Sequence, residues 1–180
     1  MAKREFHIST ANSAASLKWR ESTYTLDELL ARLSEVRRTA ETMAEYDAAP
    51  KAERDRIKGG PAFVAGRLKG GRRRKECVES RSCVVLDADN SDAELADDWN
   101  MLIGDIALLY PTHSSRPSHM KHRIVVPLAR DVSAEEYVPL AMRLAETLGV
   151  DRFDPTTYQP ERLMYFPSAS SDADIEIVRL

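Results

Sequence analysis

The sequence is poor in cysteine, since Cys77 and Cys83 are its only two and they form no CxxC pair. This shortage argues against a disulfide framework and a cysteine zinc knuckle, and it favours reduced, packed thiols. Long apolar runs are also absent, because no stretch approaches the roughly 20 residues that a membrane span needs. The first residues, MAKREFHIST, contain no apolar signal segment. We therefore expect a cytoplasmic protein with no membrane partner.

Motifs of several common enzyme classes are missing as well. The chain has no GxxxxGK[ST] loop, no GxGxxG turn and no GxSxG elbow. These absences weigh against P-loop hydrolases, dinucleotide-dependent enzymes and serine esterases. A length of 180 residues is typical of one domain, which we expect to span residues 1–180.

The chain has little excess charge, with a net charge of −3, but its charges are unevenly distributed. The run RLKGGRRRK at residues 67–75 holds six cations in nine positions. Clustered cations gain affinity for a polyanion by releasing its counterions. The candidate contacts for DNA phosphates are therefore Arg72, Arg73, Arg74 and Lys75. Such a run is also typical of an ordinary solvated surface, and that alternative stays open.

Capping boxes predict helix starts, because a Ser or Thr side chain and a Glu three residues later each bond the other's main-chain amide. The boxes are Thr25/Glu28, Ser91/Glu94 and Ser133/Glu136. Apolar residues at helical spacing extend the first helix to about Tyr46 and the third to Gly149. Pro139 inside the third predicts a kink or a delayed start.

Apolar runs between these helices predict strands. The unbroken runs Cys83–Leu86 and Ile106–Tyr110 are typical of central strands that are covered on both faces. Further candidates are Ala62–Val64, Ile124–Val126, Leu163–Phe166 and Ile175–Val178. Strands interleaved with helices predict an α/β sandwich rather than a helix bundle.

The segment SCVVLDADN carries the strongest chemical signal. Strand alternation places Asp87 and Asp89 on one side and Ala88 on the other. Two close carboxylates repel each other unless a cation joins them, and Mg²⁺ takes one or two carboxylates together with substrate phosphates. We therefore predict a divalent metal here, and expect that replacing either acid leaves the fold intact. The alternative is a turn or a helix cap, because DADNSD is rich in turn-forming residues.

A polar segment, Thr112–Arg123, joins two predicted strands. Its hydroxyl, imidazole and guanidinium groups are donors suited to phosphate oxygens. The alternatives are an exposed hairpin loop with incidental histidines, and a zinc site that no spacing pattern recommends.

A third segment, VDRFDPTTYQPERLMYFPS, contains Asp151, Asp154 and Arg162. Because Asp-Pro commonly starts a turn, the residues alone favour a structural role for Asp154.

In this order and spacing, the three segments resemble the archaeo-eukaryotic primase superfamily, the primase-polymerase domains. The similarity is greatest to the form found in phage and plasmid replication proteins and at the front of virulence-associated E-type primase-helicases. The stretches RRTAETMAEYDAAPKAERDRIKGGPAFVAG and TTYQPERLMYFPS also resemble this branch, so the resemblance covers roughly residues 17 to 168.

The resemblance implies an α/β (α+β) primase-polymerase fold, in which an RRM-like catalytic half packs on an N-terminal αβ half. It implies that Asp87, Asp89 and Asp154 are catalytic and hold two Mg²⁺ or Mn²⁺ ions, with Asp151 as the next candidate for the third acid. The residues implied to bind the incoming nucleotide are His113, Ser114, His122, Arg123 and Arg162. The family's Ser-x-His motif is not present in clean form, so which side chains hold the triphosphate stays open.

The function that the resemblance implies is a DNA primase-polymerase that joins dNTPs or rNTPs on a single-stranded DNA template. A replicative helicase is a further partner that the resemblance implies. One alternative is a non-catalytic nucleic-acid-binding replication module that recruits a helicase. Three uncompensated carboxylates would argue against that module, because binding alone gains nothing from holding them together. The other alternative is a metal-dependent nuclease of another fold.

Overall fold

Strands and helices are interleaved through residues 4–180, the part of the chain that the computed structural model describes. The strands are β1 (Phe6–Ala11), β2 (Arg20–Tyr24), β3 (Arg37–Arg38), β4 (Ala62–Val64), β5 (Gly66–Leu68), β6 (Val78–Ser91), β7 (Leu108–Pro111), β8 (Met120–Val132), β9 (Met164–Tyr165), β10 (Ser168–Ala169) and β11 (Val178–Arg179). The helices are α1 (Leu26–Leu33), α2 (Met43–Ala48), α3 (Lys51–Lys58), α4 (Leu95–Leu102) and α5 (Ala134–Leu148). Among these helices, none combines the length and the apolar character that crossing a membrane requires.

The larger sheet has the antiparallel order β11-β7-β8-β6-β5. From β6 onward, the strands of this sheet and the helices between them follow the order β6-α4-β7-β8-α5-β11, with β9 and β10 of the other sheets between α5 and β11. This is the βαββαβ sequence of elements expected for the RRM-like half; β11 lies beside β7, and β5 lies beside β6. A smaller sheet, β2-β1-β4-β9, belongs mainly to the N-terminal part of the chain. The predicted α+β class is confirmed.

The long strand β6 has a core on each of its faces, as expected for a central strand. Val84 and Leu86 pack in one apolar cluster with residues of α4 and α5. Cys83 and Val85 point the other way, into a cluster with residues of α1 and β1. Burial raises the pKa of the Cys83 thiol to about 12, and both cysteines are free, which agrees with reduced packing residues.

Two of the predicted capping boxes are confirmed, those at Thr25 and Ser133. Helix α5 starts directly after Ser133 although it contains Pro139, so the proline does not delay it. The prediction of a capping box at Ser91/Glu94 was wrong, because β6 continues to Ser91 and α4 begins only at Leu95. Asp92 Oδ1 instead accepts the Glu94 amide hydrogen at 3.1 Å.

The prediction that the first helix reaches Tyr46 was also wrong, since α1 ends at Leu33. Ser34 closes it by donating its hydroxyl to the Leu30 carbonyl at 2.8 Å. The next residues form β3, which pairs in parallel with β10. A capping box that the sequence analysis missed, Thr42/Glu45, then starts α2. Pairing of β3 with a distant strand therefore takes the place of the helix that the apolar pattern predicted.

The predicted strands exist, but several bounds differ and some strands were missed. Ile106–Tyr110 becomes β7, and Ile175–Val178 becomes β11, each displaced toward the C-terminus. Strands β1 and β2 were not predicted, because FHISTA and RESTY contain no apolar run. Most of β2 is exposed at the edge of its sheet.

Candidate active site

The carboxylates of Asp87 and Asp89 stand near the end of β6. Asp87 is 7% exposed and lies opposite Arg123 of β8, whose Nε donates to Asp87 Oδ1 at 3.1 Å. Asp89 is more exposed and accepts from Lys121 Nζ at 3.1 Å. Both acids line the same cavity, as strand alternation leads one to expect.

Hydrogen bonds along the edge of β6 bring Asp154 beside Asp87. The Asp154 amide donates to the Asp87 carbonyl at 2.9 Å. Thr157 Oγ1 accepts from the Asp87 amide at 3.1 Å and donates to the Val85 carbonyl at 2.8 Å. Residues 154–157 therefore cover this edge, and Asp154 joins the other two acids in lining the cavity. Asp151 is exposed and does not line it.

Asp154 also forms the turn that its sequence predicted. Its carboxylate accepts from the Thr156 amide at 2.9 Å and from the Thr156 hydroxyl at 2.7 Å, and it caps the short 3₁₀ turn Pro155–Tyr158. Burial raises the pKa of Asp154, but the Thr156 hydrogen bonds and the charge of Arg162 outweigh burial and hold the pKa below its ordinary value. The turn-forming role and a place in the site are therefore compatible.

The cavity has a volume of about 260 Å³ and mainly polar walls. Its cationic lining residues are Lys58, Lys121, Arg123 and Arg162. Ser114 and Thr112 also line it, and Thr112 Oγ1 is buried with no hydrogen-bond partner among residues 4–180. Cations and hydroxyls around a polar cavity are suited to binding phosphate oxygens.

Each of the three carboxylates already has its own cation. The pairs are Asp87–Arg123, Asp89–Lys121 and Asp154–Arg162. Burial lowers the pKa of the Arg123 guanidinium, but the charge and hydrogen bond of Asp87, together with Tyr110, outweigh burial and raise the pKa above its ordinary value. The Arg123 side chain is only 12% exposed, so removing Asp87 would leave a largely buried cation without this partner, which typically costs about 3–5 kcal/mol. We therefore revise the expectation that the fold tolerates loss of Asp87.

Comparison with known proteins assigns the family. The family model described as the VapE N-terminal domain matches residues 1–178. The chain belongs to the VapE N-terminal domain family. The resemblance to the virulence-associated E type is thereby confirmed.

No curated protein matched the sequence of this VapE domain. Among solved structures, it is similar to the AEP domain of the Cyanophage S-2L primase-polymerase, with 14% sequence identity. The likeness covers 98% of this chain and 82% of that chain, with a TM-score of 0.49. A likeness of this size transfers no residue role to the VapE domain.

The donor chemistry of the cavity fits a divalent metal, because carboxylate oxygens are preferred ligands of Mg²⁺ and Mn²⁺. Within residues 4–180, however, no group of three or more His, Cys, Asp and Glu side chains is placed to hold a metal ion. Metal binding by all three acids therefore requires Asp89 and Asp154 to leave their present ion pairs, whereas Asp87 keeps its pair with Arg123. The partly exposed Asp89–Lys121 pair and the 3.4 Å contact between Arg162 and Asp154 are the easiest to separate.

Lys58 and Lys121 are cavity residues that sequence analysis missed. Lys121 lies two positions before Arg123 on β8, so strand alternation could have identified it. Lys58 is the last residue of α3 and pairs with Asp55 at 2.9 Å. No local pattern in the sequence marks Lys58, because only the tertiary fold brings α3 to the cavity.

His113 lines the cavity with both ring nitrogens engaged. Nδ1 lies 3.1 Å from Ser168 Oγ, and Nε2 lies 3.1 Å from Glu41 Oε1. The ring centroid is 4.7 Å from that of Tyr46. Burial lowers the pKa of His113, and Glu41 offsets this effect only in part. A neutral ring that donates from Nε2 to Glu41 and accepts at Nδ1 from Ser168 satisfies these contacts and leaves no nitrogen for a phosphate.

His122 is not brought to the carboxylates. Successive residues of β8 face opposite sides, so His122 points away from the side that Arg123 faces. Its Nδ1 lies 2.8 Å from Ser91 Oγ, and it lines a second cavity of about 320 Å³ that shares the wall Pro111–His113 with the first. Burial lowers the pKa of His122. Of the predicted nucleotide contacts, His113, Ser114, Arg123 and Arg162 line the acidic cavity and His122 does not.

The basic run lies close to the carboxylates on its own loop. Residues 72–74 border a further cavity of about 530 Å³. Arg73 also borders a space of about 270 Å³ that Asp87, Arg123 and Arg162 line. Lys75 is exposed and lines none of these cavities.

Proposed function

We propose that this VapE domain is a primase-polymerase that joins dNTPs or rNTPs on a single-stranded DNA template. The observation that carries the proposal is the shared cavity of Asp87, Asp89 and Asp154, in which Asp154 is tied to Asp87 through the main chain. Three carboxylates from distant parts of the chain, ringed by cations, suit both a divalent metal and a triphosphate. Family membership supports a role in replication priming.

In this proposal the carboxylates hold two Mg²⁺ or Mn²⁺ ions and the cations hold the nucleotide. When bound, the ions neutralise the triphosphate and lower the pKa of the attacking 3′-hydroxyl. Lys121 and Arg162 neutralise and orient the phosphates, and Ser114 donates a further hydrogen bond. Arg123 stays paired with Asp87 and fixes the direction of that carboxylate.

The ion pairs also suggest that metal and nucleotide bind together. A triphosphate draws Lys121 away from Asp89 and Arg162 away from Asp154, which leaves both carboxylates free. Asp89 and Asp154 would then hold a divalent cation, whose charge would compensate these carboxylates, and Lys121 and Arg162 would stay with the phosphates. The nucleotide therefore removes the cations that would repel a metal, and a metal would compensate the carboxylates that repel the phosphates.

A second candidate is a non-catalytic module that binds nucleic acid and recruits a helicase. The observation in its favour is that every carboxylate already has a cation. The acids are therefore compensated without a metal, which weakens the sequence-based argument against this candidate.

Primer extension separates the candidates. The protein is incubated with a labelled primer on a longer template, with dNTPs or rNTPs and with Mg²⁺ or Mn²⁺. Our proposal requires longer products that depend on the nucleotides. An unchanged primer favours the binding module, and shortened products indicate a metal-dependent nuclease.

A further inference from the structure

Two hairpin loops enclose a positively charged cleft beside the carboxylates. One loop joins β1 to β2 and the other joins β5 to β6. The space of about 530 Å³ between them is lined by residues 14–17 and 72–74, and we call it the loop cleft. Its lining includes three arginines and no acidic side chain. Arg74 lies 4.0 Å from the carboxylate of Glu76, but both side chains are exposed, and such an ion pair contributes little. A positively charged cleft of this kind attracts a polyanion.

The two loops are fixed to each other. The Trp19 amide donates to the Gly71 carbonyl at 2.9 Å, and the Arg73 guanidinium lies 5.7 Å from the centroid of the Trp19 ring. Gly71 has a φ of +65°, and a Cβ there would lie 2.5 Å from the Trp19 carbonyl oxygen. Only glycine allows this approach, so the shape of the loop cleft is built into the fold.

Leu17 gives the loop cleft an apolar element. It is 93% exposed, the highest value among the large hydrophobic residues of the described chain. A single exposed leucine is ordinary on a protein surface. Leu17, however, lines a concave space together with three guanidinium groups. Single-stranded nucleic acid offers charged phosphates and flat apolar bases side by side, and a groove that binds it combines cations with side chains that pack on bases.

Arg73 connects the loop cleft to the carboxylates. It lines the loop cleft, and it also lines the space that it shares with Asp87 and Arg162. A strand whose phosphates follow the arginines of the loop cleft would therefore reach the acidic site without crossing a negatively charged surface other than the site itself.

We propose that the loop cleft binds single-stranded DNA, with Leu17 packed against a base and Arg72–Arg74 against phosphates of a strand that leads to the carboxylates. The role of that strand as template rests on the proposed function. Binding itself requires neither nucleotides nor metal.

Binding of a fluorescent single-stranded oligonucleotide, without nucleotides or divalent metal, tests the inference at several salt concentrations. Leu17→Ser should raise Kd about fivefold, or about 1 kcal/mol at about 1.4 kcal/mol per tenfold, and leave the salt slope unchanged. Arg73→Gln should reduce the slope of log K against log salt by about 0.7. The matched controls are Met101→Ser, also an exposed apolar residue, and Arg143→Gln, an exposed arginine on α5; neither should reproduce these effects.

Heparin separates the base contact from the charge contact, because it is a polyanion without bases. Leu17→Ser should bind heparin as the unmodified protein does, whereas Arg73→Gln should bind it more weakly. The inference is overturned if Leu17→Ser binds the oligonucleotide like Met101→Ser, or if Arg73→Gln keeps the full salt slope. If these binding effects occur in a protein that never extends a primer, only the proposed function fails. If the protein extends primers but both variants bind DNA normally, only the loop cleft assignment fails.

Discussion

Replacing Asp154 with asparagine separates the turn-forming role of this residue from its proposed catalytic role. The variant keeps the main-chain hydrogen bond to Asp87, and the amide oxygen can still accept from the Thr156 amide. It loses the charge that faces Arg162 across 3.4 Å at a partly exposed position, where an ion pair contributes little. We therefore expect the free energy of unfolding to fall by no more than about 1 kcal/mol, or about 2–4 °C in Tm.

Nucleotide incorporation should fall far more than stability does. The substitution makes one of the three carboxylates that compensate two dications neutral. We therefore expect kcat/KM to drop at least about a hundredfold, which is about 2.7 kcal/mol at about 1.36 kcal/mol per tenfold. Primer extension measures the rate and a thermal melt measures stability. Asp151→Asn is the matched control, because Asp151 is exposed and lies outside the cavity. Near-native extension by Asp154→Asn, or an equal loss in Asp151→Asn, would refute the reasoning.

Further variants test other parts of the site. Asp87→Ala should lower the free energy of unfolding by about 3–5 kcal/mol, because Arg123 loses its buried partner; an unchanged midpoint in chemical denaturation would contradict this. Burial lowers the pKa of His113 below its ordinary 6.5, so the unfolded chain binds more protons and stability is lost as pH falls below about 6.5. His113→Gln should flatten that part of the Tm–pH curve, and His119→Gln, on the exposed loop, should not; parallel curves for His113→Gln and the unmodified protein would contradict the assignment. Neutralising residues 72–75 should reduce the slope of log K against log salt for DNA binding by about 2, or about 0.7 for each of the three arginines that line the loop cleft. An unchanged slope would show that these residues are an ordinary solvated surface.

Signals that act within a few residues predicted local structure well. The Thr25 and Ser133 boxes form as expected, because both partners of each box lie within one helical turn. The common side of Asp87 and Asp89 follows from the geometry of a strand alone. The end of α1 could not be predicted in this way, because β3 pairs with β10 from the far end of the chain.

Site residues could be predicted where a short segment contains the functional side chains together. They could not be predicted where only tertiary contacts bring a residue to the site. The residues alone favoured a turn at Asp154, and only the family resemblance suggested that it belongs with Asp87. The contact depends on a main-chain hydrogen bond across the edge of β6, which no spacing reveals. Glu41 and Lys58 reach the cavity region from the N-terminal half by the same kind of tertiary contact. Glu41 also changes the interpretation of His113, whose ring it holds through Nε2.

The central claim is that three carboxylates and their surrounding cations form one metal and nucleotide site. A crystal soaked with Mn²⁺ and a nucleoside triphosphate tests it most directly, because anomalous scattering locates manganese. We predict Mn²⁺ within about 2.0–2.6 Å of carboxylate oxygens of Asp87, Asp89 and Asp154, with the triphosphate against Lys121 and Arg162. A structure in which the nucleotide binds elsewhere, and the three acids keep their present ion pairs without manganese between them, would contradict the claim.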